Sequence, residues 1–277
     1  MKVTPESAPE SRDKPEWAEH PALVEFYTRH RSRPEDLYPS ERRFLPWLAD
    51  RSQSVLDAGC AAGGFSNIWR HYRADISYAG IDLSTSLLDA ARRLYPDLRL
   101  TKAHLARRCE LPDRAATTVQ ALGWLFWEPE YVRTLAELWR LTDRYLFFDL
   151  RLVRQEGDAS HGRQRVAYTR DWDGKTTTPY ITVAWPRIAR VLLELRPSNL
   201  YAYGYWGAPA DTVESVATDV CFAVFVLEKP AAGDTVDTPA VCIDMPLEWP
   251  TALARRVRLL PPEQLTVLVP PPGNGAL

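Results

Sequence analysis

Two acidic residues lie at the ends of apolar segments and are the first candidates for ligand binding. Asp57 lies in VLDAGCAAGG, just before a cluster of small residues, and Asp82 ends YAGID. Glycine lets a backbone approach a ligand closely, and the amides at a helix start add donors and partial positive charge. A carboxylate beside such a cluster suits a ligand with a cationic or amino group. The pattern therefore predicts a nucleotide or nucleoside cradle.

Two other interpretations of this segment fit less well. A dinucleotide fingerprint, G-x-G-x-x-G, needs a second glycine where the chain has Ala61, two residues after Gly59. It also gives no role to Asp57. A tight turn that needs small residues only for packing explains the glycines, but it does not require Asp57 or Asp82. Cys60 is interpreted as a small filler in the cradle, because nothing near it favours thiolate chemistry.

The elements around these residues alternate between strand-like and helical patterns. Such alternation is typical of βαβ units, which form a parallel sheet with helices on its faces. The acids then lie at the carboxyl ends of neighbouring strands, where open α/β sheets bind ligands. The predicted strands are 54–59, 76–82, 98–104, 117–124 and 145–152, and the helices between them are 64–73, 84–95 and 129–141.

Further elements flank this core. Before it, Pro21 and Ser40 each suit the start of a helix. After it, a hairpin is predicted around Asp173-Gly174, then a helix over 186–195. The next strands are 199–207 and 219–230, and the segments 240–245 and 264–270 are predicted as added edge strands. The domain organisation is a disordered tail (1–16), a main domain (17–230) with a helical cap (17–50) and a hairpin insertion (151–185), and a C-terminal extension (231–277) on the sheet edge.

The segment VLDAGCAAGG resembles the first motif of the class I S-adenosylmethionine (SAM) dependent methyltransferases, with Ala61 in place of the usual middle glycine. Asp82, about twenty residues on, matches the acid that holds the ribose hydroxyls in that family. The resemblance implies SAM as cofactor and a doubly wound, mostly parallel, seven-stranded Rossmann-like sheet, with helices over the pocket and a hairpin near the acceptor. Residues expected to bind SAM are Asp57, Gly59, Cys60, Ala61, Gly63, Asp82, Leu83, His104, Leu105 and Gly123.

The acceptor side is predicted from position alone. Trp124 and Trp127 follow the fourth strand, at a place that faces the transferred methyl group in this family. Core packing is the alternative for both, and for Trp127 it explains the position equally well. Arg151 and Tyr27 complete the predicted acceptor site. The chain has no histidine where oxygen-methylating members often place one, and the candidate bases are Asp149, His161 and His30. Asp149 is preferred because a carboxylate at a strand end lies at the ligand crevice.

Composition excludes several other classes of protein. The net charge is −2, and no segment carries a basic excess, so no nucleic-acid partner is expected. No apolar run has the length of a membrane span, and the start of the chain lacks a secretory h-region. The four scattered cysteines indicate neither a zinc site nor a disulfide framework. We expect a cytoplasmic enzyme without a metal, acting on a small molecule and able to form a homodimer.

The leading functional hypothesis is methyl transfer to an oxygen of a sugar or specialised metabolite. A small-molecule N-methyltransferase is close behind, because it would explain the missing base. An RNA or protein methyltransferase and a SAM-binding protein without chemistry are the remaining alternatives.

Overall fold

The computed structural model of the chain describes residues 16–154, 160–165, 177–214, 219–234 and 236–269. The predicted tail, apart from its last residue, and the predicted turn at Asp173-Gly174 lie outside these residues. No helix within the described ranges has both the length and the apolar character that crossing a membrane requires. The domain boundaries proposed from sequence stay a prediction.

The described residues form seven α-helices and twelve strands, with short 3-10 segments between some of them. The helices are α1 (Pro21–Arg29), α2 (Pro39–Arg51), α3 (Phe65–Tyr72), α4 (Thr85–Leu94), α5 (Tyr131–Leu141), α6 (Trp185–Glu194) and α7 (Gln264–Leu268). The strands are β1 (Ser54–Ala58), β2 (Ser77–Asp82), β3 (Arg99–Lys102), β4 (Ala116–Ala121), β5 (Thr142–Val153), β6 (Ser160–Arg165), β7 (Thr177–Ala184), β8 (Asn199–Gly207), β9 (Val213–Glu214), β10 (Val220–Glu228), β11 (Ala240–Asp244) and β12 (Arg258–Leu260).

One mostly parallel sheet organises the fold, as predicted. Its strand order is β12-β11-β8-β10-β5-β4-β1-β2-β3, and β1 to β5 are mutually parallel while β10 runs antiparallel to β5 and β8. The predicted count of seven strands is wrong: the sheet has twelve in the described part of the chain. The additional strands are β11 and β12 at one edge, and β6, β7 and β9, which branch from β5.

The sheet core is apolar on both faces. Strand β5 is almost entirely buried, and so is its antiparallel neighbour β10. Phe148 and Phe225 stack between these two strands, with ring centroids 5.2 Å apart. A near-continuous apolar strand of this kind is typical of a position covered on both faces. This rigid centre fixes the strand ends at which the predicted site residues lie.

Two local predictions are corrected by the structure. The segment 264–270 was expected to be a strand, but Gln264–Leu268 is helix α7 and the edge strand is β12 instead. Pro261 and Pro262 precede α7. Their carbonyls accept hydrogen bonds from the amides of the residues three positions later, Gln264 and Leu265, and this starts a helical turn. Ser40 does not cap α2, because the helix begins at Pro39 with Tyr38 at its N-cap.

Candidate active site

The loop after β1 has a left-handed backbone at three positions. Gly59, Ala61 and Gly63 have φ values of 81°, 48° and 79°. The amides of Gly59 and Cys60 both donate to the carbonyl of Ile81 on β2, at 2.7 and 2.9 Å. Glycine adopts a positive φ at little cost, whereas alanine pays about 1–2 kcal/mol. The structure therefore keeps the loop path expected for glycine even where the sequence has Ala61.

The carboxylate of Asp82 supports the strained residue of this loop. Its Oδ2 accepts a hydrogen bond from the amide of Ala61 at 2.9 Å, and its Oδ1 accepts one from the amide of Ser84 at 2.8 Å. Asp82 is almost fully buried and lies at the end of β2, facing the same cavity as Ala61. One acid thus joins the two sequence motifs and orients the loop between β1 and α3.

The glycines of the loop are required by protein contacts. A Cβ at Gly59 would lie 2.5 Å from Nε1 of Trp124, and one at Gly64 would lie 2.5 Å from the carbonyl oxygen of Arg31. A Cβ at Gly80, on β2, would lie 2.6 Å from Sγ of Cys60, so the thiol fills the space that this glycine leaves. Burial raises the pKa of the Cys60 thiol well above its ordinary value. Small residues here let the chain pack on itself around the cavity.

Asp57 belongs to a buried hydrogen-bond network that the sequence did not reveal. The hydroxyl of Tyr78 and the side-chain amide of Gln120 both donate to its carboxylate, the second at 3.0 Å. Gln120 in turn accepts from the indole N–H of Trp69 at 2.9 Å. Burial raises the pKa of Asp57 to about 6, although the two hydrogen bonds act in the opposite direction. Asp57 is therefore a carboxyl whose charge changes just below neutral pH.

A cavity of about 670 Å³ opens at the carboxyl ends of β1, β2 and β4. All predicted cofactor-binding residues line it except Gly63. His104 accepts the amide of Ala106 at Nδ1, 3.2 Å away, so a neutral imidazole carries its proton on Nε2. Of the predicted acceptor-side residues, Tyr27, Trp124, Trp127 and Arg151 also line the cavity, as does His30. The structure brings these residues together, and their individual roles stay predictions.

Of the other two predicted bases, one does not line the cavity and the side chain of the other is not described. Asp149 is not among the residues that line the cavity; its carboxylate accepts the amide of Gly123 at 2.6 Å and Nη1 of Arg151 at 2.7 Å. Both residues lie within β5, which continues to Val153, and because they are two positions apart in a strand their side chains share a face. His161 lies on β6, and its side chain is outside the described residues.

Comparison with known proteins supports the resemblance seen in the sequence. Residues 55–144, which include the loop, Asp82, Gly123 and the predicted tryptophans, match the family described as "Methyltransferase domain". Residues 55–144 are therefore similar to a methyltransferase domain, as the sequence motifs implied. A search of curated proteins found no match.

Several solved structures are similar to this chain. One is the N-terminal domain of EvdMO1 in the presence of SAH and D-fucose, at 12% identity and TM-score 0.49, covering 67% of this chain and 83% of that one. Magnesium protoporphyrin IX methyltransferase (ChlM) from Synechocystis PCC 6803, with bound SAM, has 16% identity and TM-score 0.41, over 67% and 76%. Streptomyces venezuelae DesVI has 15% identity and TM-score 0.45, over 76% and 97%.

The cavity continues beyond the loop after β1 into an aromatic region. Phe126, Trp127, Tyr180 and Phe222 line this region, which we call the aromatic half of the cavity, together with Arg151. The guanidinium of Arg151 lies between the rings of Phe126 and Phe222, 4.3 Å from each centroid. Burial opposes its charge, but Asp149 and Tyr180 keep the pKa of Arg151 above its ordinary value. The aromatic half therefore consists of rings packed around one arginine, whose charge is balanced by Asp149.

Arg31 is a further cavity residue that the sequence did not single out. Its guanidinium donates to both carboxylate oxygens of Glu41, one at 2.9 Å, and lies over the rings of Tyr38 and Phe65, at 4.8 and 4.9 Å. Burial opposes the charge, but Glu41 holds the pKa of Arg31 above its ordinary value. Nothing in the local sequence marks this contact, because the burial of Glu41, which is only 1% exposed, is visible only in the structure.

Proposed function

We propose that the enzyme transfers a methyl group from SAM to a small-molecule acceptor, and that the methylated atom is an oxygen of a sugar or specialised metabolite. The observation that carries the proposal is one cavity whose first half holds the SAM motifs and whose second half has aromatic walls. SAM supplies an electrophilic methyl group on a sulfonium. The protein then contributes mainly alignment of the acceptor, which accounts for a large share of the rate in displacements of this kind.

The residues around the loop suit SAM. Asp82 lies at the carboxyl end of β2, the position from which an acid accepts ribose hydroxyls in nucleotide-binding sheets. We assign the adenine edge to Nε2 of His104, which is the proton-bearing nitrogen. Asp57, under the loop, favours the cationic methionyl amino group. We assign the methionyl carboxylate to Arg31, whose guanidinium lies beside Phe65 at the start of α3.

Between the two acceptor classes, the aromatic half favours a specialised metabolite with a planar, mostly apolar body. The indole N–H of Trp127 donates to Gln164 at 2.8 Å, and Nε2 of Gln164 lies 3.3 Å from the hydroxyl of Thr212. Arg151 is paired with Asp149. These polar groups are engaged within the protein, whereas a sugar requires several donors and acceptors for its hydroxyls. Rings stacked on Phe126 or Trp127 need no such partners.

A second candidate function has its own support. Asp149, the preferred base, is held in an ion pair and does not line the cavity, which favours an acceptor that needs no early loss of a proton. A neutral amine meets that condition. N-methylation of a small molecule is therefore the alternative. A cavity with aromatic walls gives no support to an RNA or protein acceptor.

A transfer assay separates these proposals. The purified enzyme would be incubated with SAM labelled in its methyl group and with matched acceptor panels: phenols, aromatic amines and methyl glycosides. We expect methylation of phenols, with formation of S-adenosylhomocysteine (SAH) in equal amount. Transfer confined to the amines would favour the alternative, and transfer to glycosides would reassign the acceptor to a sugar. Transfer to none of the three panels would contradict the proposed acceptor chemistry, whereas SAM binding tests the cofactor separately.

A further inference from the structure

Trp124 is fixed over the end of β1 by its own indole nitrogen. The N–H donates to the carbonyl of Ala58 at 2.6 Å. The nitrogen and its neighbour Cδ1 would lie 2.5 and 2.6 Å from a Cβ at Gly59, so only glycine allows the ring to approach this closely. The indole also lines the cavity. Because its polar edge is turned to the backbone, Trp124 offers a ligand only carbon and π surface.

The position of this ring relative to the cofactor follows from the covalent structure of SAM. The sulfur is bonded to the ribose, to the methionyl chain and to the methyl group that leaves. If Asp82 holds the ribose and the acceptor lies in the aromatic half, the sulfur lies between them. Trp124 occupies that boundary, because it covers Gly59 on one side and begins the turn that carries Phe126 and Trp127 on the other.

We propose that the indole of Trp124 binds the sulfonium of SAM by a cation–π interaction and thereby distinguishes substrate from product. This inference rests on the proposed function of the cavity. A cation near the face of tryptophan is stabilised by the ring quadrupole, more strongly than near any other aromatic side chain. When the methyl group leaves, the electrons of the broken carbon–sulfur bond stay on sulfur. SAH is therefore a neutral thioether, and the attraction is lost when the acceptor has formed its new bond to the methyl carbon.

Neighbouring charges could also distinguish the two ligands, and the variants must separate them from the ring. Asp57 and Asp82 lie in the same cavity and favour any cation. Their contribution is unchanged when only the indole is altered. Trp127 provides a matched control, because it is also a partly buried tryptophan with its N–H engaged, by Gln164, but lies in the aromatic half.

The test is isothermal titration of SAM and of SAH into the wild type and the variants Trp124→Leu, Trp124→Phe and Trp127→Leu. The quantity compared is the ratio of the two dissociation constants, SAH over SAM. We expect Trp124→Leu to lower this ratio by roughly 3- to 10-fold, mainly by weakening SAM, and Trp124→Phe to retain most of it. Trp127→Leu is expected to leave it unchanged. Equal weakening of both ligands by Trp124→Leu, or no weakening, would overturn the inference.

A second measurement avoids any change in packing at this position. Incorporation of 5-fluorotryptophan lowers the π-electron density of every indole while leaving the ring size nearly unchanged. The ratio should fall in the fluorinated wild type and stay constant on fluorination of Trp124→Phe. A constant ratio in both proteins would overturn the inference. Failure of the wild type to bind either ligand would instead reject the cofactor site itself, and the inference with it.

Discussion

The carboxylate of Asp82 accepts a hydrogen bond from the backbone amide of Ala61, 2.9 Å away. The bond connects the end of β2 to the one non-glycine residue of the β1 loop that has a positive φ. It gives Asp82 two proposed roles, because we assign this side chain to the ribose and it also holds the loop that we assign to the methionyl part of SAM. Loss of this carboxylate should therefore affect both ligand binding and the loop.

Replacing Asp82 with alanine should weaken SAM binding by about 1–3 kcal/mol, the scale of charge-assisted hydrogen bonds lost on truncation. Adenosine, which shares the ribose but lacks the methionyl chain, should lose affinity as well. Titration calorimetry measures both. Asp82→Asn, which keeps one acceptor oxygen, serves as the control and should lose less. Unchanged affinity of the alanine variant for SAM would refute the ribose assignment.

The contact between Trp124 and Gly59 predicts different costs for two alanine substitutions. Gly59 and Gly123 both have φ of 81°, so a side chain is strained at either position. A Cβ at Gly59 would meet the indole at 2.5 Å, whereas a Cβ at Gly123 would have no neighbour within 4 Å among the described residues. Gly59→Ala should thus destabilise the fold by about 1–3 kcal/mol more than Gly123→Ala, in line with the cost of overpacking. Urea denaturation followed by circular dichroism gives both values; equal costs would show that the indole moves aside freely.

The Asp57 carboxyl predicts a pH dependence of cofactor binding. Its folded pKa is raised to about 6, so the folded state binds the proton more tightly than the unfolded state does, and this stabilising contribution is lost as pH rises through 6. A cationic ligand, in contrast, binds more tightly when Asp57 is ionised. The dissociation constant of SAM should fall by about tenfold between pH 5 and 7, with protons released on binding near pH 6. Calorimetry in buffers of different ionisation enthalpy measures both; Asp57→Asn should flatten the profile, and an unchanged slope would assign it to another group.

The sequence predicted the parallel core and the two acids because each depends on local patterns. Asp57 and Asp82 each follow an apolar run and precede a helix, which is visible within about fifteen residues. Other contacts join residues that are far apart in the chain and cannot be predicted from either local segment. Examples are the contact of Trp124 with Gly59 and the hydrogen bonds of Asp57 with Tyr78 and Gln120. Gln120 gave one signal in the sequence, because an amide side chain inside an apolar strand needs a buried hydrogen-bond partner. In the structure it lies directly opposite Asp57.

At the edge of the sheet, a prediction made from local sequence preference was wrong. Residues 264–268 are rich in strand formers, yet they form a helix after two prolines, with Leu265 buried against the core. Strand preference depends strongly on context, and a short segment follows the neighbours against which it packs. The acceptor-side hairpin was predicted from its turn residues, but the pairing that brings Gln164 to Trp127 arises only in three dimensions.

The Asp149–Arg151 pair yields a prediction that separates a base from a positioning residue. Asp149→Ala leaves a buried guanidinium without its carboxylate, so we expect a loss of about 3–5 kcal/mol in the free energy of unfolding. Asp149→Asn removes the charge but retains an oxygen that can accept the Gly123 amide, and should retain more stability. If Asp149 is the base, the asparagine variant will lose turnover with SAM affinity intact and lose one ionisation from its pH–rate profile. Turnover that persists at the wild-type rate would remove it as base.

The central claim is that the cavity at the ends of β1, β2 and β4 binds SAM. Its most direct test is calorimetric titration of the purified chain with SAM and, separately, with SAH. The structure predicts one saturable site per chain for each ligand, weakened in both cases by Asp82→Ala. Absence of binding of both SAM and SAH to the folded wild-type protein would contradict the claim.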